Sequence, residues 1–313
     1  MKYKFITILH HMKIDVKLNK GIQLYPGTRI SNGEEVRSEI LNSILMQSTA
    51  GVHSVDEFND TVYYYKYGEF PEISSMEEMG KKGTMTTFAF LREAQSFVTD
   101  LWLVKDNGIY VRDGFLITYK DSIEDGRSFK ASLGEIFKVA SCEEGISEFT
   151  RNEIDSAIQT FTPISLDEIK EETFGGKYPE SNHFYKKGNP GRMFKAQYFT
   201  MGARTSHALP MKIVLYCTAL ECLFSTAKSE INHRIAERVA ALMGASAQEK
   251  IDIYNFIKKA YNYRSVILHG SNISGSEEDL VEFSVRLDNI LRQLILADHE
   301  VFQKIIIKLM TFS

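Results

Sequence analysis

The stretch Gly175-Gly-Lys-Tyr-Pro-Glu-Ser-Asn-His-Phe-Tyr-Lys-Lys-Gly-Asn-Pro-Gly-Arg192 divides this chain into two parts that read differently. Its glycines, prolines and asparagines break helices and strands alike, so a domain boundary is expected between Phe174 and Met193. Two domains follow, 1–190 and 191–313. A length of 313 residues, at about 100–200 residues per domain, agrees with two.

On the N-terminal side, β-rich runs alternate with helical ones. Tyr3 to Leu9, Thr61 to Tyr67, Leu101 to Lys105, Gly108 to Arg112 and Phe115 to Tyr119 are rich in β-branched and aromatic residues. Asp106-Asn107-Gly108 and Asp113-Gly114 are turn signals, so the last three runs predict a three-stranded meander. Glu34 to Leu45, Thr87 to Asp100 and Glu148 to Phe161 carry apolar residues at helical spacing, and Thr150-Arg-Asn-Glu153 reads as a helix start. The fold class expected is α+β, a mixed N-terminal domain followed by an all-α bundle.

On the C-terminal side the pattern is helical throughout. Phe194 to Ser206 forms a first helix, and Pro210 suits the first turn of a second that ends near Ser225. Ser229 caps a third ending at Gly244, and Ser246 a fourth ending at His269-Gly270, where the glycine suits a left-handed stop. Ser276 with Asp279 opens a fifth through Ala297, and Val301 to Leu309 reads as a sixth.

Composition excludes several classes. With 43% hydrophobic and 25% charged residues the chain is not of the disordered type, and no fixed-period repeat is present. The apolar stretches around Ile213 to Phe224 and Leu294 to Ala297 fall short of the roughly 20 residues that cross a bilayer, so no membrane association is expected. The first residues are too short in apolar character for a signal peptide, and Cys142, Cys217 and Cys222 are odd in number, which together predict a cytoplasmic, reducing location. Residues 1–194 carry 23 Lys and Arg against 29 Asp and Glu, and residues 195–313 carry 14 against 12. That bias toward polyanions in the second part is mild, and by itself predicts no nucleic-acid partner.

The informative charges are those on apolar faces. Between Ile213 and Ala227, Glu221 is the one charged residue of a helix that is apolar all round, and such a helix belongs at the centre of its bundle. A carboxylate there requires a cationic partner. Arg238 falls within the stripe Ile231, Ile235, Val239 and Leu242, and Arg264 within the stripe Ile257, Ala260, Tyr261, Ile267 and Leu268. Either would serve Glu221, or cap backbone carbonyls. His269, at a helix end, feels the negative end of the macrodipole, which favours its protonated form. On an ideal helix Arg264 and His269 are about 140° and about 7.5 Å apart, so one chain converges them only if the helix end unwinds; otherwise a second copy supplies the missing half.

Three segments in this order, Ala219-Leu-Glu221-Cys-Leu-Phe224, His233-Arg-Ile-Ala-Glu-Arg238-Val-Ala-Ala-Leu-Met-Gly244 and Tyr261-Asn-Tyr-Arg264-Ser-Val-Ile-Leu-His269-Gly270, resemble the HEPN superfamily, and specifically its ApeA-like branch. The likeness covers residues 195–305. It implies a helical homodimer in which two Arg-x4-His motifs face each other across a cleft, and a metal-independent endoribonuclease that uses no cofactor. His269 would then act as general base and acid on the ribose 2′-hydroxyl and the leaving oxygen, while Arg264 stabilises the phosphorane. A 2′,3′-cyclic phosphate would be the first product, and DNA would be refractory. Glu221 and Arg238 would organise the core beneath. The branch is associated with antiphage abortive infection, so host or phage RNA, tRNA included, is the substrate class implied, and a phage-derived trigger or regulatory partner of the N-terminal domain the partner class. Ser265 follows the motif arginine, where the superfamily often has an amide or acid, which leaves its helper role open. No tyrosine follows His269, which argues against control by adenylylation at that position. A catalytically silent HEPN module for dimerisation or for binding RNA or protein is the alternative.

Other patterns are read as structural. His10-His11 would point to opposite sides of a strand and is not a metal pair. No zinc spacing, phosphate-binding loop or dinucleotide fingerprint occurs. Tyr63-Tyr64-Tyr65 with Tyr67 could stack bases, but reads first as strand packing, and Lys186, Lys187 and Arg192 as a solvated loop.

Overall fold

The computed structural model describes residues 1–70, 75–163, 191–225 and 231–297. The expected boundary up to residue 190, Lys186 and Lys187, the Ser229 cap and the helix at 301–309 lie outside the described residues. Two compact units divide the described chain: 1–136 with 145–163, and 137–144 with 191–225 and 231–297. No helix among the described residues is long and apolar enough to cross a membrane.

The first unit is built on a six-stranded antiparallel sheet in the order β3-β4-β5-β1-β6-β7. In chain order these strands are β1 (Lys2–Ile8), β3 (Ile22–Tyr25), β4 (Thr28–Ser31), β5 (Tyr63–Glu69), β6 (Asp113–Tyr119) and β7 (Arg127–Ser132); β2 (Met12–Ile14) pairs in parallel with β8 (Ser147–Phe149) outside the sheet. β1 is central, pairing with β5 (Ile6 opposite Tyr65) and with β6 (Ile6 opposite Phe115). Because side chains alternate along a strand, each face has its own cover. Ile6, Ile8, Tyr63, Tyr65, Phe115 and Ile117 face a cluster with Ile40, Leu41 and Met46 of the short helices α1 (Glu34–Leu41) and α2 (Ile44–Ala50); α3 (Val52–Asp56) follows. On the other face Tyr3 and Phe5 pack edge or tilted against Phe90 of α4 (Met76–Val104).

The second face also buries a charge pair. Lys66 of β5 and Glu93 of α4 lie 2.9 Å apart with side chains 6% and 0% exposed. The phenolic hydroxyls of Tyr25 and Tyr64 donate to the same Glu93 oxygen, and Lys66 also reaches the Tyr25 hydroxyl. Burial lowers the Lys66 pKa against the opposing pull of Glu93, and raises those of Tyr25 and Tyr64. A charge so placed is tolerated only with such partners. Tyr63, Tyr64 and Tyr65 are therefore core residues of both faces, and Tyr67 alone of the run is exposed.

The expected meander does not form. Leu101 to Val104 continue α4, whose buried face runs Ala94, Phe97, Val98, Leu101 and Trp102 at helical spacing. Within Gly108 to Arg112 the ladder is reduced to one bridge, Tyr110 to His10. β6 pairs instead with β1 and β7, which are distant in sequence. Gly114 is a packing residue and not a turn residue: a Cβ there would lie 2.8 Å from the Phe5 ring. The helix expected over 34–45 breaks at Ser43, which is extended and caps α2 through its hydroxyl. α5 (Arg151–Thr160) opens with a capping box between Thr150 and Glu153.

Among the described residues of the second unit five helices follow: α6 (Arg192–Thr205), α7 (Leu209–Phe224), α8 (Ile231–Met243), α9 (Ala247–Leu268) and α10 (Glu277–Ala297). Pro210 lies in the first turn of α7, Ser246 and Glu249 form a capping box on α9, and Ser276 and Asp279 exchange the equivalent bonds at α10. α7 packs against α6, α8, α9 and α10, the central position that its all-round apolar sequence requires. The segment 137–144 lies N-terminal to the expected boundary, yet it packs with these helices through buried Phe137 and Ala140.

Candidate functional site

Glu221 sits one turn from the end of α7, on the flank that faces α9. Arg264 of α9 meets it, Nη2 lying 3.2 Å from Oε1 and 3.4 Å from Oε2. Both side chains are about a quarter exposed, at 26% for Arg264 and 23% for Glu221. Burial raises the Glu221 pKa, and the Arg264 charge opposes that rise. The Arg264 guanidinium is also 5.9 Å from the Tyr261 ring, one turn earlier on α9. Tyr261 in turn donates to the Cys217 carbonyl at 3.1 Å, tying α9 to α7. Arg264 Nε is buried with no hydrogen-bond partner among the described residues, so its donor capacity is not exhausted by Glu221.

Arg238, the other candidate for Glu221, is used differently. Its Nη1 donates to the Phe224 carbonyl at the end of α7. Arg192 joins it there, donating to the Ser225 carbonyl at 2.6 Å and to the Cys222 and Leu223 carbonyls at 3.3 and 3.5 Å. Two guanidiniums thus satisfy the last carbonyls of α7, which have no partner within the helix, and oppose the negative end of its dipole. Burial, then Arg234 and Arg192, lower the Arg238 pKa. Read from sequence alone, Arg192 is a loop cation; the carbonyls it caps are thirty residues away and leave no local signal.

His269 is the C-cap of α9 and is exposed. Its N–H donates to the Ser265 carbonyl, the Gly270 N–H to Ile267 and the Ser271 N–H to Val266, with Gly270 at φ +69°. These are the paired bonds of a Schellman stop. The helix end is therefore closed and not unwound, which leaves Arg264 and His269 of one chain about 140° apart around the axis. Arg264 points toward α7 while His269 lies at the exposed end, and Ser265 beside Arg264 is exposed.

The remaining candidates are separate from this site. His10 stacks on Tyr110 with ring centres 4.7 Å apart, and His11, at φ +63°, meets the same ring edge-on. Among the described residues no group of three or more His, Cys, Asp or Glu is placed to hold a metal ion. The three cysteines are free, and burial raises the Cys217 thiol to about 12 and Cys222 to about 11, which suits packing rather than nucleophilic chemistry. An open groove of about 990 Å³ on the helical unit is lined by residues including Cys142, His207, Leu209, Glu278 and Val285; neither Arg264 nor His269 lines it.

Comparison of the chain with protein-family models, with curated proteins and with solved structures finds no match.

Proposed function

We propose that the helical unit is a metal-independent endoribonuclease of the HEPN type that works as a homodimer, with the N-terminal unit restraining or sensing in an antiphage effector. The observation that carries this reading is the pairing of Glu221 with Arg264 on a helix that ends in an exposed, rigidly capped His269. Glu221 fixes the guanidinium of Arg264, leaving donors for a phosphorane oxygen. His269, on the opposite flank of the helix end, takes the proton of the 2′-hydroxyl in a site whose arginine comes from a second copy. The oxygen of that hydroxyl forms the new bond to phosphorus as the 5′-oxygen leaves, and a protonated imidazole returns the proton to the leaving oxygen.

A second reading, a silent module for dimerisation or for binding RNA or protein, is favoured by one observation: Arg264 is held by Glu221 as a structural ion pair would be. The test separating the two is cleavage of total tRNA and of a structured messenger RNA in EDTA, wild type beside His269→Ala. The nuclease reading expects cuts leaving 2′,3′-cyclic phosphate ends, lost in the variant, with the matching DNA intact. Cutting that survives His269→Ala, or that needs an added divalent metal, overturns it. RNA bound but uncut by the folded wild type favours the second reading.

A further inference from the structure

Residues 137–144 lie in sequence between β7 and β8, but by their contacts they belong to the helical unit. Five contacts seat them. The Phe137 ring is 1% exposed and lies 4.3 Å from the guanidinium carbon of Arg204, at the end of α6. The Lys138 N–H donates to the Arg204 carbonyl at 2.8 Å. Lys212, in the first turn of α7, donates from Nζ to the Lys138 carbonyl at 3.4 Å as well as to the Ala203 carbonyl at 3.0 Å. Ser284 of α10 donates to the Ala140 carbonyl at 2.6 Å, and the Cys142 thiol is 4.0 Å from the Ser206 carbonyl. An ion pair from Lys138 to Glu144, at 2.8 Å, closes the segment on itself.

This is an unusual use of buried polar groups. Arg204, Lys212 and Ser284 are each fully buried, and each meets the same eight-residue segment. Removing the segment would take an acceptor from Lys212 and from Ser284, and from Arg204 the ring that faces its guanidinium and the donor to its carbonyl; buried polar groups that lose partners are costly. The three helix regions they belong to, the end of α6, the start of α7 and the first half of α10, pack on one another through a shared apolar core, and the seated segment adds a further tie among them. Its two ends continue directly into chain that belongs to the other unit.

We propose that residues 137–144 are a strap that couples the N-terminal unit to the helical unit. Seated, the strap adds its contacts to the core that joins α6, α7 and α10; drawn out by a change in the N-terminal unit, it loosens α7, the helix that carries Glu221. This coupling does not depend on the chemistry performed by Arg264 and His269. The proposal requires two states, seated and withdrawn, with the balance between them set from the N-terminal side.

The test is amide hydrogen exchange on the full chain, for wild type, Phe137→Ala and Ser284→Ala. In the wild type the strap, read at the Lys138 amide, is expected to exchange at least about tenfold more slowly than the exposed 145–146 stretch. Phe137→Ala, altered on the strap alone, is expected to speed exchange about tenfold in the strap and together with it in α7 and α10, leaving α4 unchanged. If that variant fails to fold, Ser284→Ala removes one hydroxyl only, and the same joint loosening of strap and α7 is expected. A strap already unprotected in the wild type overturns the proposal. So does a strap that loosens while α7 keeps its protection, since it would then decorate the helices without coupling them.

Discussion

Asp100 and His10 titrate in overlapping pH ranges with opposite consequences for the first unit. Burial pushes the Asp100 carboxyl up from 3.8 to about 6, against the hydrogen bond from Thr160. The folded state then holds that proton more tightly than the unfolded chain, so stability falls as pH rises from about 4 to about 6. For His10, burial first, then Arg112 and His11, push the imidazole down from 6.5 to about 4, with Glu57 and Asp113 opposing. Its contribution is full above about 6.5 and is lost as pH falls toward 4. The two slopes partly cancel in the wild type. Asp100→Asn is expected to add about 2 kcal/mol above pH 6 and to unmask a loss of stability on the acid side. His10→Gln should leave the opposite slope. Urea unfolding between pH 4 and pH 8 checks both, and an Asp100→Asn effect equal at every pH would show that ionisation is not its source. Neither shift could be read from sequence, because each arises from neighbours that only the fold assembles.

Two glycines at the scale of the helix make a contrast. Gly270 stands at φ +69° with no atom within 4 Å of the place a Cβ would take. Gly270→Ala is expected to cost about 1 kcal/mol, from the left-handed backbone alone, with the helix otherwise kept. Gly83 lies inside α4, where alanine is intrinsically the better helix former by about 1 kcal/mol. Its Cβ, however, would fall 2.3 to 2.4 Å from three atoms of the Phe129 ring of β7. Gly83→Ala is therefore expected to destabilise by about 1–2 kcal/mol, and Phe129→Ala beside it to relieve the clash. Thermal and urea unfolding of the single and double variants decide the sign. The Gly270 role was legible from the helix pattern that precedes it. Gly83 carried no local signal, for its reason is a ring on a strand far along the chain. The same distinction explains the missing first strand of the meander: the β-rich composition at 101–104 was overridden by the apolar stripe of a 29-residue helix packed on the sheet.

For the whole molecule, the closed end of α9 has a direct consequence. One chain presents Arg264 and His269 on different flanks, so the proposed site needs two copies. Mixed dimers of Arg264→Ala and His269→Ala chains, each inactive alone, are expected to regain part of the RNA cleavage, since one intact arginine and one intact histidine then meet across the interface. No recovery in a mixture shown by sedimentation to contain heterodimers would place both groups in one chain's site and overturn the two-copy arrangement. The ion pair beneath it behaves differently: Glu221→Gln should lower stability by about 1–2 kcal/mol, less than a fully buried pair, because both side chains keep about a quarter of their exposure.

Taken alone, the sequence determined the helices α6 to α10, the caps at Ser246 and Ser276 and the stop at Gly270, the central place of α7, and the need for a cation at Glu221. These follow from periodicity, capping chemistry and the cost of an isolated buried charge, which act over a few residues or one helix face. Which arginine answers Glu221, why Arg192 and Arg238 share the end of α7, how Lys66 and Glu93 meet across sheet and helix, and that 137–144 packs with helices it precedes were decided by the tertiary structure. In each case the partners are far apart in the chain, and desolvation selects among cations that the sequence presents as equivalent.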